Sequence, residues 1–412
     1  MPEQKKPYDL ILRNGHVIDP LNQIDGIMDV AVRGGKIALV AKNIQAPGAE
    51  KDVDVTGSYV IPGIVDIHVH IYPLLPLPVG CIGSIDVDSH MIKVGVTTAV
   101  DAGTIGWRDY LYFKENVAEK AITRVLAFLN IACKGMIYME SEQTLRDLQP
   151  KAAAAIAMEY PDDIVGIKAA HYWSGPKPFD AEHPPWASVD RAVEAAALSG
   201  TRAMIDFQTN LPLCPYDEMI LKHMRPGDIH THVFAQHFPT VDENGKVYDY
   251  MFKARENGVY FDLGHGAGSF WFRNGYRAYH DGFPPDTIST DMHTASIRGP
   301  ALSMLHCMSK FLNIGMPIQE VVMRSTCLPA KLIGREELGN LTVGGCADIA
   351  VLRKLEGKFG YIDNGGARLT GNSMLDCQMT IREGKIVYDI YGLSMPEWTE
   401  APEKYWTPPY KG

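Results

Sequence analysis

The chain has 412 residues, 46% hydrophobic and 21% charged, with a formal net charge of -10 at pH 7. That length supports one large core plus a smaller one, and an acidic balance without any Lys/Arg cluster excludes nucleic acid as the natural partner. No apolar run approaches the ~18–20 residues that cross a bilayer, and the opening Met1-Pro2-Glu3-Gln4-Lys5-Lys6-Pro7 lacks an apolar signal core, so a cytoplasmic protein with no membrane partner is expected.

The two ends of the chain share a pattern. Ile11-Leu12-Arg13-Asn14-Gly15-His16-Val17-Ile18 and Val30-Ala31-Val32-Arg33-Gly34-Gly35-Lys36-Ile37 read as strand, tight glycine turn, strand, and so does Met379-Thr380-Ile381-Arg382-Glu383-Gly384-Lys385-Ile386-Val387. Isolated hairpins are marginal in water, so segments 1–60 and 340–412 are expected to combine into one small composite β-domain. Between them, 61–339 alternates apolar β-branched runs with helical patterns, the signature of parallel strands and crossover helices. Strand candidates fall at 64–70, 96–101, 122–130, 164–170, 202–207, 228–234, 258–264 and 287–292. Helical patterns fall at 144–160, 188–199, 215–224 and 301–314. Eight βα units of this length predict an α/β fold, a (β/α)8 TIM barrel, whose functional groups sit at the C-terminal ends of strands. Seven cysteines, scattered and without a CxxC pair, argue against a disulfide framework or a thiolate zinc site.

The first barrel strand runs Ile61-Pro62-Gly63-Ile64-Val65-Asp66-Ile67-His68-Val69-His70. Spacing of i, i+2 puts both imidazoles on one strand face, which makes either half of a divalent-metal site or two histidines bonded to carbonyls. Strand four carries Lys168 in Val165-Gly166-Ile167-Lys168-Ala169-Ala170-His171, strand six carries His230 and His232, and strand eight ends in Asp291. A lysine in an apolar strand is rarely buried without a partner.

These residues, with Gly95-Val96-Thr97-Thr98, Thr231-His232, Gly264-His265-Gly266-Ala267-Gly268-Ser269-Phe270 and Pro285-Asp286-Thr287-Ile288-Ser289-Thr290-Asp291, resemble the amidohydrolase superfamily, most closely its dihydroorotase-like amidohydrolase/deacetylase branch, over nearly the whole chain. The resemblance implies one or two divalent metals per chain, usually zinc. His68, His70 and Asp291 would hold one ion, His232 the second, and a carbamate on Lys168 would bridge them. It also implies that Asp291 takes a proton from a metal-bound hydroxide and delivers it to the leaving group. His230 is assigned to packing or support, and Asp101 to orienting neighbours. The fifth strand, Arg202-Ala203-Met204-Ile205-Asp206-Phe207, departs from the family by presenting Asp206 where a histidine is usual. Asp206 is either a carboxylate ligand, which would favour a harder ion such as manganese, or the mark of an empty second site or a shifted alignment.

On the substrate side, His171, His265 and Arg298 are the candidate contacts, the last for its planar guanidinium fork. Tyr172, Trp173, Phe270 and Trp271 would line a pocket for a small molecule or simply pack at the barrel rim. The expected function is a metal-dependent hydrolase acting on an amide or ester carbonyl, an N-acyl or O-acyl group or a cyclic amide, in a homo-oligomeric protein. The alternatives are a non-catalytic binding or scaffold protein on the same fold, or a deaminase.

Overall fold

The computed structural model describes residues 6–45, 49–72, 83–171, 183–207 and 214–401. Five strands open the chain: β1 Tyr8–Asp19, β2 Ile24–Arg33, β3 Lys36–Ala41, β4 Ala49–Asp54 and β5 Tyr59–Pro62. Seven follow: β6 Ile64–Val69, β7 Val96–Gly106, β8 Arg124–Asn130, β9 Ile164–His171, β10 Arg202–Phe207, β11 Ile229–His230 and β12 Tyr260–Phe261. β13 Ile349–Ile362, β14 Arg368–Arg382 and β15 Lys385–Asp389 close it.

The first five and last three strands form one mixed sheet in the order β15-β14-β13-β5-β1-β2-β3, with β4 paired to β1. β13 joins the two ends of the chain by pairing antiparallel with β5, Ala350 opposite Ile61. Leu10, Val30, Val60, Ile349 and Met379 belong to one buried cluster, so the two ends share an apolar core that neither could enclose alone. One local expectation changes. Asn14-Gly15 is no hairpin turn but a bulge inside the continuous β1, where the register against β2 shifts between Leu12 and Gly15. Asn14 takes φ 59° there, and a Cβ on Gly15 would meet Val60 Cγ2 at 2.4 Å. Tertiary packing turns a local turn signal into a close approach of two strands.

β6 to β12 form a parallel sheet in simple sequence order. β6 and β7 are buried along their whole length, as parallel strands covered on both faces must be. The sixth and seventh predicted strands shrink to two residues each, because the backbone turns left-handed at His232 (φ 62°) and Gly264 (φ 46°) and the ladder cannot continue. The eighth predicted strand survives only as isolated parallel bridges, Asp262 to Thr287 and Val69 to Met292. Those two bridges touch both edges of the seven-stranded sheet.

Helix starts and stops follow local chemistry. Pro150 at the first turn begins Pro150–Glu159 later than the predicted 144. Ala187–Ser199 ends at Gly200 in the left-handed region, and the predicted 215–224 helix is a short α-turn followed by the π-turn Met219–His223. Met304–Ile314 is capped by the Ser303 hydroxyl, which accepts from His306 N. That helix fastens the mixed sheet to the parallel one. Lys310 Nζ is buried and donates to Pro300 O at 2.6 Å, Ile362 O at 2.7 Å and His265 Nε2 at 2.6 Å. Asn313 Nδ2 donates to Ser373 O, and Ser309 Oγ accepts from Leu375 N.

Replacing Lys310 with Met removes the cost of burying an ammonium but takes the donor from the buried His265 Nε2 and from two part-buried carbonyls, and a buried acceptor left unpaired costs about 1–3 kcal/mol. We expect a net loss of roughly 2 kcal/mol, read as a lower urea midpoint with unchanged slope. An unchanged midpoint would show that the clamp contributes nothing net.

Candidate metal centre

His68 on β6 and His70 just past its end are both almost wholly buried. Asp291 comes to them from the eighth segment, its Oδ1 2.9 Å from His70 Nε2 and 3.6 Å from His68 Nε2. The ligand atoms of these three residues lie within 4.8 Å of one another. Hydrogen bonds decide which ring nitrogens face inward. Thr231 Oγ1 gives its proton to Asp262 Oδ2 at 2.7 Å, so toward His68 Nδ1 at 2.9 Å it acts as acceptor. The His68 proton therefore sits on Nδ1, and Nε2 turns its lone pair to the centre. His232 Nδ1 donates to Gly264 O at 2.6 Å with the same result. His70 Nδ1 meets Thr104 Oγ1 at 2.8 Å. Burial holds the His68 pKa well below its usual value, so the ring is neutral at pH 7.

A second group stands beside the first. The His68 and His232 rings are 4.9 Å apart, and His232 Nε2 is 3.5 Å from Asp206 Oδ2. Asp206 is thus in reach of the sixth-strand histidine despite replacing the expected imidazole. Lys168 is buried with Nζ 3.3 Å from His68 Nε2. Room for its stem comes from Gly103 on β7, at φ +86°, where a Cβ would lie 2.6 Å from Lys168 Cγ. Burial lowers the Lys168 pKa, against the opposing pull of Asp206 and Asp291. Burial pushes the Asp291 carboxyl up, but His293, the His70 hydrogen bond and His232 outweigh it and bring the pKa down to about 2. Inward imidazole lone pairs beside carboxylates are the donor set of zinc or manganese, and a divalent cation fits these residues.

Three buried residues here escape a strand-end reading. Asp262 collects the hydroxyls of Thr231, Thr287 and Ser289. Glu142 accepts from Asn130 Nδ2 at 2.8 Å, and burial raises its pKa to about 8 with Lys168 and Asp206 among its neighbours. His293 follows Asp291 by two residues, with Nε2 3.7 Å from Asp291 Oδ2. Asp262 carries the same signal as Lys168, a charge inside an apolar strand, and Asp291-Met292-His293 repeats the i, i+2 spacing of the first strand.

Of the substrate candidates, His265 and Arg298 lie among the described residues. His265 is fully buried with both ring nitrogens engaged, Nδ1 by Gly266 O and Nε2 by Lys310. Arg298 is exposed. The side chain of His171, and Tyr172 and Trp173, lie outside the described residues. His230 packs edge-on against Phe238 and Phe261, and Asp101 accepts from the backbone N–H groups of Ile71, Thr104 and Ile105.

Thr231→Val keeps the shape but unfastens His68 from Asp262. Loss of such a support typically costs 10–100-fold in metal affinity, and chelator competition on the folded variant should register a drop of that order.

No protein-family model matches the chain. It is 30% identical over 349 residues to a deacetylase of Agrobacterium fabrum, covering 82% of this chain and 81% of that one. The crystal structure of an adenine deaminase superposes with a TM-score of 0.82 at 27% identity, covering 93% of this chain and all of the other. That of a dihydroorotase gives a TM-score of 0.79 at 26% identity, covering 92% and 99%. Kinship over most of the chain with proteins of this kind, together with a buried His-His-Asp trio able to hold a metal, makes the chain a member of the amidohydrolase superfamily.

Proposed function

We propose that this protein hydrolyses the carbon–nitrogen bond of an N-acyl group or cyclic amide in a small molecule, with divalent cations held at the centre described above. The observation that carries the reading is the fixed tautomers: His68 and His232 are each bonded through Nδ1 so that Nε2 turns its lone pair toward the centre. His68, His70 and Asp291 would hold the first ion, and His232 with Asp206 the second. Zinc is the expected metal, with manganese favoured if Asp206 binds, because carboxylate suits a harder ion. The barrel is read as a closed (β/α)8 ring over 61–339, with 287–292 as its eighth strand through the bridges to Asp262 and Val69.

Bound cations would supply Lewis acidity at a substrate carbonyl and make water more acidic. The chain's own part is proton handling and alignment. Asp291, ionised above about pH 2, accepts the proton released by the attacking water and returns it to the leaving nitrogen. Its placement beside His68 and His70 puts that base where the reaction occurs. Lys168 in neutral form attacks carbon dioxide, forming an N–C bond and releasing a proton, and the resulting carbamate offers two anionic oxygens where an ammonium offers none. Its burial favours the neutral amine, and Gly103 leaves space along its stem.

A screen of N-acyl amino acids, acyl hydroxy acids, hydantoins and lactams against zinc- or manganese-loaded protein tests the reading directly. Lys168→Ala should abolish turnover, and short carboxylic acids added with zinc should partly restore it by supplying the anionic oxygens that the Lys168 carbamate would. A bare ammonium in a metal-loaded, active crystal would sink the carbamate. Asp206→Ala should release one of two metals by elemental analysis, and unchanged stoichiometry would remove Asp206 from the ligand set.

A further inference from the structure

His293 is bonded in the opposite sense to His68 and His232. His68 and His232 donate through Nδ1, whereas His293 Nδ1 accepts from the backbone N–H of Ala295 at 3.3 Å. A neutral imidazole with Nδ1 as acceptor carries its proton on Nε2. That Nε2 stands 3.7 Å from Asp291 Oδ2, and the His293 ring centre is 6.0 Å from that of His70. Facing the centre with an N–H and not a lone pair, His293 is unsuited to bind a cation and suited to donate to a carboxylate.

The two oxygens of Asp291 are thereby made different. Oδ1 faces the Nε2 atoms of His70 and His68, while Oδ2 lies between His293 and Gly266, where a Cβ would come within 2.3 Å of it. Ser296 Oγ donates to the Asp291 carbonyl at 2.7 Å, so the turn that carries His293 is itself fastened to Asp291. We propose that His293 is a positioning residue that donates from Nε2 to Asp291 Oδ2 and thereby keeps Oδ1 directed at the cation-binding imidazoles. The distance is longer than a formed hydrogen bond, and such contacts shorten when a catalytic centre is filled. This assignment rests on the proposed metal-hydrolase reading, in which Asp291 both binds the cation and moves the proton.

The test compares wild type, His293→Gln and His293→Leu by chelator competition for zinc and by steady-state kinetics on a substrate found in the screen. Glutamine can place its amide nitrogen near the Nε2 position, and leucine offers no donor. The Leu variant should bind zinc 10–100-fold more weakly, in the range of lost outer-sphere partners, with kcat lowered and KM little changed, and Gln should recover most of both. Wild-type zinc affinity in the Leu variant overturns the proposal, and so does a change confined to KM, which would make His293 a substrate contact. If the Leu variant does not fold, Gln is compared with Asn, whose amide reaches only the Nδ1 position, and equal zinc affinities of the two overturn the assignment. Wild-type protein that takes up no divalent cation overturns the metal-hydrolase reading and this one with it, whereas normal wild-type uptake beside an indifferent Leu variant overturns this one alone.

Discussion

A buried imidazole can present a lone pair in one chosen direction only if its other nitrogen is held by an acceptor that cannot move. Asp262 provides that restraint for His68. It is completely buried and receives three hydroxyl protons, from Thr231, Thr287 and Ser289. Each hydroxyl has a single proton to give, so Thr231 has none left for His68 and must accept from it. The direction of one imidazole on the first strand is therefore set by a carboxylate just past the seventh, through a hydroxyl just past the sixth. Burial raises the Asp262 pKa, and the three donors oppose that rise and make an ionised carboxylate tolerable there.

The same device holds the framework elsewhere. Asp66 accepts from the Thr290 hydroxyl and backbone N–H, tying the first strand to the residue before Asp291. Asp101 gathers three backbone N–H groups, one from Ile71 just past the first strand and two from Thr104 and Ile105 near the end of the second, and the Thr104 hydroxyl meets His70. The irregular backbone at the strand ends carries polar groups that no ladder satisfies, and buried carboxylates satisfy them. Precision at the centre thus comes from side-chain acceptors in a part of the fold where regular pairing has already ended.

What the sequence made legible follows from what is local. His68 and His70 could be read because strand periodicity alone places them on one face, and Lys168 because a charge in an apolar strand stands out. Asp206 was legible through the family resemblance, which expects a histidine at that place on the fifth strand, and in the structure β10 pairs with β9 so that Met204 lies opposite Lys168 and Asp206 opposite Ala170. The surroundings of His265 could not be read, because flanking glycines suggest an open approach for a ligand, while Lys310, which holds its Nε2, lies 45 residues further on. Glu142 was invisible for a related reason, since its meaning depends on Asn130 and on a turn that brings a loop over the fourth strand. Asn14-Gly15 shows the same limit in the mixed sheet, where the decisive neighbour, Val60, is remote in sequence.

Two residues of the centre, His232 and Asp291, sit in left-handed backbone at φ 62° and 47°. Most side chains pay for that conformation, β-branched ones most heavily, whereas Asn, Asp and His adopt it several times more readily. The main chain at these two positions therefore acts as a filter on mutation before any ligand chemistry is tested. Exchanges among His, Asp and Asn pass it at little conformational cost, and exchanges to Val, Ile or Thr do not. Of the residues that pass, two are metal-binding types, so drift at these positions is steered toward a different donor set and away from an apolar one. Single exchanges at these two positions can therefore alter the donor atoms that face the centre while the left-handed backbone stays as it is.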